Sequence, residues 1–156
     1  MRPLPLFCCA LAAAVLTGCQ TAGIEGTYVL TSRDLPDGTT VYPPNVVGLL
    51  TFEDGQRNFN IYEGHVEGAP TSISVIAEYT LSKDEYRETN IYTLVAGPDG
   101  VQRDLAPAIG SSPITREDGA IKFLLPLRDE PAVEFTSRGL TATRPGEFVD
   151  HWKRID

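Results

Sequence analysis

What the sequence lacks narrows it before any motif is read. Of its 156 residues only 13 are lysine or arginine against 21 aspartate or glutamate, a formal charge of -8. A duplex nucleic-acid binder needs a basic face to displace counterions from phosphates, so no nucleic-acid partner is expected. The three cysteines all fall within the first 19 residues, at Cys8, Cys9 and Cys19. The remainder of the chain therefore holds no thiol for a disulfide or a thiolate metal site. There is no Gly-x-Ser-x-Gly elbow, no phosphate-cradling Gly-Lys-Ser/Thr loop, no His-Glu-x-x-His signature and no dinucleotide fingerprint. The commonest hydrolase, nucleotidase and metalloprotease readings fall with them, and no catalytic residue, metal or cofactor is assigned. The longest apolar run, residues 6–16, is about half of the roughly 20 residues a helix needs to span a bilayer.

What is present is an ordinary folding composition, 42% apolar and 22% charged, which argues against disorder. The length suits one domain. Arg2, the Ala-rich run 6–16 and small residues before Cys19 form the pattern of a secretion signal. The junction Leu16-Thr17-Gly18-Cys19 resembles the lipobox of bacterial lipoproteins. That resemblance implies removal of residues 1–18 and a mature chain starting at Cys19, with a diacylglycerol thioether on its sulfur and an acyl chain on its nitrogen. A thiolate is the soft nucleophile such an alkylation requires. More than one acyl chain, at about 0.8 kcal/mol per buried CH₂, makes a stable membrane anchor. Gln20 in place of Asp is similar to lipoproteins forwarded to the outer membrane of Gram-negative cells, which gives the expected location, periplasm-facing. The competing reading is an ordinary secretion signal with Cys19 incidental. Residues 19–26 form the lipidated terminus and a tether of about seven residues, which extends roughly 25 Å at most and would keep the domain beside the membrane.

From residue 27 to 156 the chain carries strand signals and almost no helical period. Ile73, Val75, Ala77, Tyr79 and Leu81 alternate with Ser72, Ser74, Ile76, Glu78 and Thr80, as a half-buried strand requires. Ile121, Phe123, Leu125 and Leu127 alternate likewise, and so do Phe59 and Ile61. Further strands are predicted at 27–32, 46–53, 86–96, 132–136, 140–144 and 148–155. Asp37-Gly38, Asp54-Gly55, Pro98-Asp99-Gly100, Asp118-Gly119 and Pro145-Gly146 mark the turns. About eight or nine short strands joined by hairpin turns predict an all-β, antiparallel up-and-down barrel or a sandwich. Residues 104–118, with Pro107, Gly110, Ser111, Ser112 and Pro113, read as a surface loop or barrel lid.

The opening Glu25-Gly26-Thr27-Tyr28-Val29-Leu30, the glycine before an apolar strand in Gly48-Leu49-Leu50-Thr51-Phe52, the Asp54-Gly55 turn and the closing Trp152-Lys153-Arg154 resemble small bacterial lipocalin-like domains. The chain departs from them at Tyr28, where such domains usually carry Trp. The resemblance implies an up-and-down barrel closed at one end, with Arg154 packed over Tyr28 as the barrel-closing pair. An eight-stranded barrel is just wide enough to be filled by side chains or to hold one small ligand. Ile73, Val75, Tyr79, Phe123 and Leu125 are the candidate pocket, and serve equally well as core.

Two polar clusters remain. Glu63, His65 and Glu67 would share a face if extended and could hold a divalent metal, but Gly64, Gly68 and Ala69-Pro70 make a solvated loop the preferred reading. Asp150 and His151 could supply an acid and a base, yet strand neighbours face opposite sides, which favours a surface histidine. Asn58 and Asn60 share a strand face, which could line a polar spot inside a barrel or be the wet face, the second being the preferred reading. The leading expectation is a membrane-anchored, non-enzymatic lipoprotein whose barrel binds a small apolar or amphipathic ligand. The alternative is a filled barrel that works on another envelope protein through its outer surface or the 104–118 segment.

Overall fold

The computed structural model describes residues 23–64 and 68–156. These form strands β1 (Gly26–Asp34), β2 (Thr40–Val41), β3 (Val46–Glu53), β4 (Gln56–Glu63), β5 (Thr71–Leu81), β6 (Glu85–Gly97), β7 (Gly100–Asp104), β8 (Ala108–Pro113), β9 (Thr115–Glu117), β10 (Ala120–Leu124), β11 (Ala132–Thr136), β12 (Gly139–Arg144) and β13 (Phe148–Arg154), with no helix among the described residues. All belong to one antiparallel sheet, curled into a half-barrel, whose path runs β7-β6-β5-β4-β3-β1-β13-β12-β11-β10-β9. Neighbours on that path are near neighbours in sequence except at its middle, where the first long strand pairs with the last. That junction sets Tyr28 opposite Arg154 and Leu30 opposite Trp152.

Turn chemistry fixes the register of two hairpins. Asp54 and Gly55 both take positive φ, 48° and 74°, and so do Asp118 and Gly119, 52° and 79°. Left-handed conformation at both central residues matches the twist of the flanking strands, and Asp-Gly is the pair that tolerates it. Elsewhere the alternation is interrupted. Between β5 and β6 the register slips so that Ile76 faces Tyr92 and Ala77 faces Asn90, which leaves Ile91 as the extra residue of a bulge. Asn90 and Thr93, three apart, are therefore both buried, and Thr93 Oγ1 donates to Asn90 Oδ1 at 2.9 Å.

Most of the segment 104–118 is strand, and only 105–107 is loop of any length. Ala108–Pro113 pairs with β6 and Thr115–Glu117 with β10, with Ile114 alone between the two strands. Its small residues answer a close approach instead of a turn. A Cβ on Gly110 would lie 2.9 Å from Leu127 Cδ2 and from Pro126 Cβ, and Ser112 Oγ donates to the Leu124 carbonyl at 2.5 Å. Four short strands, β2, β7, β8 and β9, raise the total above the expected eight or nine because they pair through backbone while carrying too few apolar residues to show a period.

The packed body begins before β1. Ile24, expected in the tether, is 1% exposed, and its carbonyl accepts from the Tyr28 hydroxyl at 2.9 Å. One end of the curled sheet is filled by aromatic rings. Phe135 meets Tyr28, Phe52 and Phe123 at centroid distances of 5.7, 5.5 and 5.6 Å. Tyr86 stacks on Phe123 at 4.3 Å and on Tyr79 at 6.0 Å.

Candidate functional site

Pairing across β3 to β6 sets the inward side chains in rows. Ile61, Ile73 and Val95 share one, Leu50, Phe59, Val75 and Thr93 the next, and Phe52, Arg57, Ala77 and Asn90 a third that abuts the aromatic plug. The first two rows, with Leu125, Val133, Leu140, Ala142 and Trp152 from the opposite wall, enclose a cavity of about 460 Å³. That lies within the roughly 300–1,000 Å³ of small-molecule sites. Gly48 makes room for the indole: a Cβ there would sit 2.5 Å from Trp152 Cη2.

Of the candidate pocket residues, Ile73, Val75 and Leu125 line this cavity. Tyr79 and Phe123 do not. Both point inward, as the alternation predicts, but lie at the filled end, Tyr79 edge-on to Phe52 at 5.2 Å and Phe123 between Tyr86 and Phe135. Tyr28 and Arg154 are direct cross-strand partners, yet the guanidinium bonds Asp156 at 3.1 Å. Tyr28 is held by its bond to Ile24 and by Phe135. Burial pushes its hydroxyl up to about 12, with Arg154 opposing the rise.

The cavity carries two buried ionic clusters. Arg33 bonds Asp150 through Nε at 2.6 Å and Nη2 at 2.8 Å, and also bonds Glu63 through Nη1. Its guanidinium lies 4.0 Å over the Phe148 ring. Deeper, Arg57 Nη1 donates to both Glu88 oxygens at 2.8 and 2.9 Å, and Nη2 to Glu130 at 2.7 Å. The Tyr86 hydroxyl donates to Glu88 from the aromatic plug. Burial raises the carboxyls of Glu88 and Asp150 above the usual range, against the pull of Arg57 and Arg33. Burial alone would weaken the Arg57 guanidinium as a base, but Glu130 and Glu88 outweigh it and hold its pKa above the ordinary value.

Arg33, Arg57, Glu88 and Glu130 were not among the candidate residues. Arg57 and Glu88 carry a readable signal, since they stand two residues before Phe59 and two after Tyr86 on inward faces. Arg33 does not, because the register of β1 shifts between Leu30 and Ser32. Asp150 and His151 face opposite sides: Asp150 takes Arg33, and His151 Nε2 lies 2.8 Å from Asp34 on the exposed surface. Asn58 and Asn60 are on the outer face as expected, where Asn60 Oδ1 accepts from Ser74 at 2.8 Å. Glu63 belongs to the Arg33 cluster, whereas Cys19, His65 and Glu67 lie outside the described residues. Among the described residues no cluster of side chains is arranged to hold a metal ion. No family model, curated protein or solved structure matches the chain.

Proposed function

We propose that this chain is a lipid-anchored, non-enzymatic envelope protein whose lipocalin-like barrel holds a small apolar or amphipathic molecule. The observation that carries the reading is the contrast between the two ends of the curled sheet: one is packed with aromatic rings, the other encloses about 460 Å³ behind an apolar wall. A chain that needed only a core would have filled both, because unfilled apolar volume lowers stability. Closure of the sheet into a barrel is supported by β8 and β9, which bond to β6 and β10 and are joined through a single residue. The anchor rests on the lipobox-like Leu16-Thr17-Gly18-Cys19 and the apolar run before it.

Native mass spectrometry of the delipidated protein from cell extract tests the pocket, with a co-purifying small molecule as the expected result. Ala142→Trp places a ring in the cavity from a small wall residue and is expected to abolish that adduct while the melting temperature changes by only a few degrees. An empty wild-type protein that takes up no apolar ligand would remove the reading. Cys19→Ser is expected to leave an unprocessed or mis-sorted precursor, and unchanged membrane fractionation would refute the anchor.

A second reading, docking to another envelope protein, is favoured by one observation. Across β3 to β6 the outer rows Val47, Tyr62, Ser72 and Ala96, then Leu49, Asn60, Ser74 and Leu94, then Thr51, Asn58, Ile76 and Tyr92 contain no charged residue. Leu49 and Ile76 are 45% and 39% exposed, and an uncharged apolar face on an acidic chain suits a protein partner. A photo-crosslinker at Leu49 should trap one envelope protein, and Ile76→Glu should abolish the adduct without unfolding the domain. Absence of any adduct from that face would set this reading aside.

A further inference from the structure

Resting on the cavity as a ligand site, we infer the class of molecule it takes: a neutral amphiphile presenting an uncharged oxygen acceptor, such as a ketone, ester, ether or alcohol, in preference to a fatty-acid anion or an alkylammonium. Two steps lead there. The first is which polar atoms lack partners. Arg57 Nε and Trp152 Nε1 are buried without a hydrogen-bond partner among the described residues, and their residues are 1% and 5% exposed and both line the cavity. They flank one ring, the Arg57 guanidinium 5.6 Å and the indole 6.0 Å from the centre of Phe59. Both are donors. The remaining buried side-chain orphan, Asn90 Nδ2, is a donor as well, and no buried side-chain oxygen among the described residues is orphaned. A ligand that satisfies this site must bring an acceptor, which an ammonium head lacks.

The second step is the charge of that acceptor. All four arginines lining the cavity are already paired. Arg33 faces Asp150 and Glu63, Arg57 faces Glu88 and Glu130, Arg144 bonds Glu147 at 3.0 Å and Arg128 bonds Asp104. The two buried arginines each meet two carboxyl groups, so neither has positive charge to spare for a third. A carboxylate head placed at Arg57 Nε would enter a low-dielectric site whose neighbours are carboxyl groups, where like charges repel strongly. A carbonyl or hydroxyl oxygen satisfies the same N–H without that repulsion, and its alkyl chain would lie along Val75, Ile73 and Leu125.

The test uses three ligands of one chain length on the full chain carrying Cys19→Ser, so that no acyl group of its own competes. Methyl nonyl ketone and decanoic acid are near-isosteric, and decylamine supplies the cation. Trp152 is the sole tryptophan of the sequence, so its emission reports the site directly. At neutral pH the ketone is expected to bind about tenfold or more tightly than either charged ligand, the scale of one hydrogen bond to a buried charged donor. Its binding should shift the emission to the red as the indole N–H gains an acceptor. Trp152→Phe, followed by calorimetry, should reduce ketone affinity several-fold more than it reduces decane affinity, since both lose wall contact with the indole and only the ketone loses a hydrogen bond. Binding of decanoate or decylamine as tightly as the ketone overturns the inference while the pocket stands. If none of the three binds and decane does not either, the pocket reading fails and the inference with it.

Discussion

Arg57→Met is expected to lower the unfolding free energy by about 3–5 kcal/mol at neutral pH, the range for removing one partner of a buried ion cluster. On the roughly 5–15 kcal/mol scale of domain stability, that brings the protein close to unfolding. Arg57 is 1% exposed and its two terminal nitrogens bind the carboxyl groups of Glu88 and Glu130. Methionine fills similar volume but leaves Glu88, also 1% exposed, as an uncompensated buried acid. Glu130 can turn toward solvent. Burial already raises the Glu88 carboxyl with arginine present, and without it only the hydrogen bond from the Tyr86 hydroxyl opposes the rise. The native state then binds more protons than the unfolded chain, so stability falls as pH rises from the ordinary glutamate range through the elevated native value. The deficit should thus be markedly smaller at pH about 5 than at pH about 8. Glu88→Gln added to Arg57→Met should recover part of it at the higher pH. Urea unfolding of the three proteins at both pH values gives the answer, and a loss below about 1 kcal/mol with no pH dependence would mean that the cluster is not the buried pair described.

The contrast between Arg57 and Arg33 shows how far the sequence alone could be read. Strand period gave the class of fold and the inward faces of β4, β5 and β10, because apolar residues stand at alternate positions in each. The same period, carried two residues beyond Phe59 and Tyr86, would have put Arg57 and Glu88 inside. A charged side chain at an inward position reads as the end of a strand unless a partner is known, and its partners lie 31 and 73 residues away in sequence. Arg33 was beyond reach, since the slip between Leu30 and Ser32 reverses which residues face in, and nothing local announces it. Loop composition misled at 104–118, where Gly110 and Ser112 meet the 124–127 segment at close range. Nor does alternation say where along a strand the interior is packed and where it is hollow. Val75 and Tyr79 are alike in period, yet one lines the cavity and the other belongs to the plug.

That last difference yields the second large effect. Phe135→Ala is expected to destabilise the protein by about 3–5 kcal/mol, whereas Ile73→Ala, on the cavity wall, should fall at or below the low end of the roughly 2–5 kcal/mol usual for a buried isoleucine. Phe135 is fully buried and its ring meets Tyr28, Phe52 and Phe123. Deleting it removes those contacts and leaves a hole that a ring of aromatic neighbours on three strands can close only by leaving their own positions. Ile73 is half-buried and one side of it already faces open volume, so its removal enlarges a space that exists and forfeits fewer contacts. The two variants therefore separate plug from pocket on one scale, chemical denaturation, without any ligand in hand. Equal losses would mean that the Ile73 end is packed as tightly as the Phe135 end, and the cavity would then close in solution. A ligand that raises the melting temperature of the wild type should stabilise Phe135→Ala by a similar free energy, because its binding site is intact. It should stabilise Ile73→Ala by a different amount, because there the wall it touches has changed.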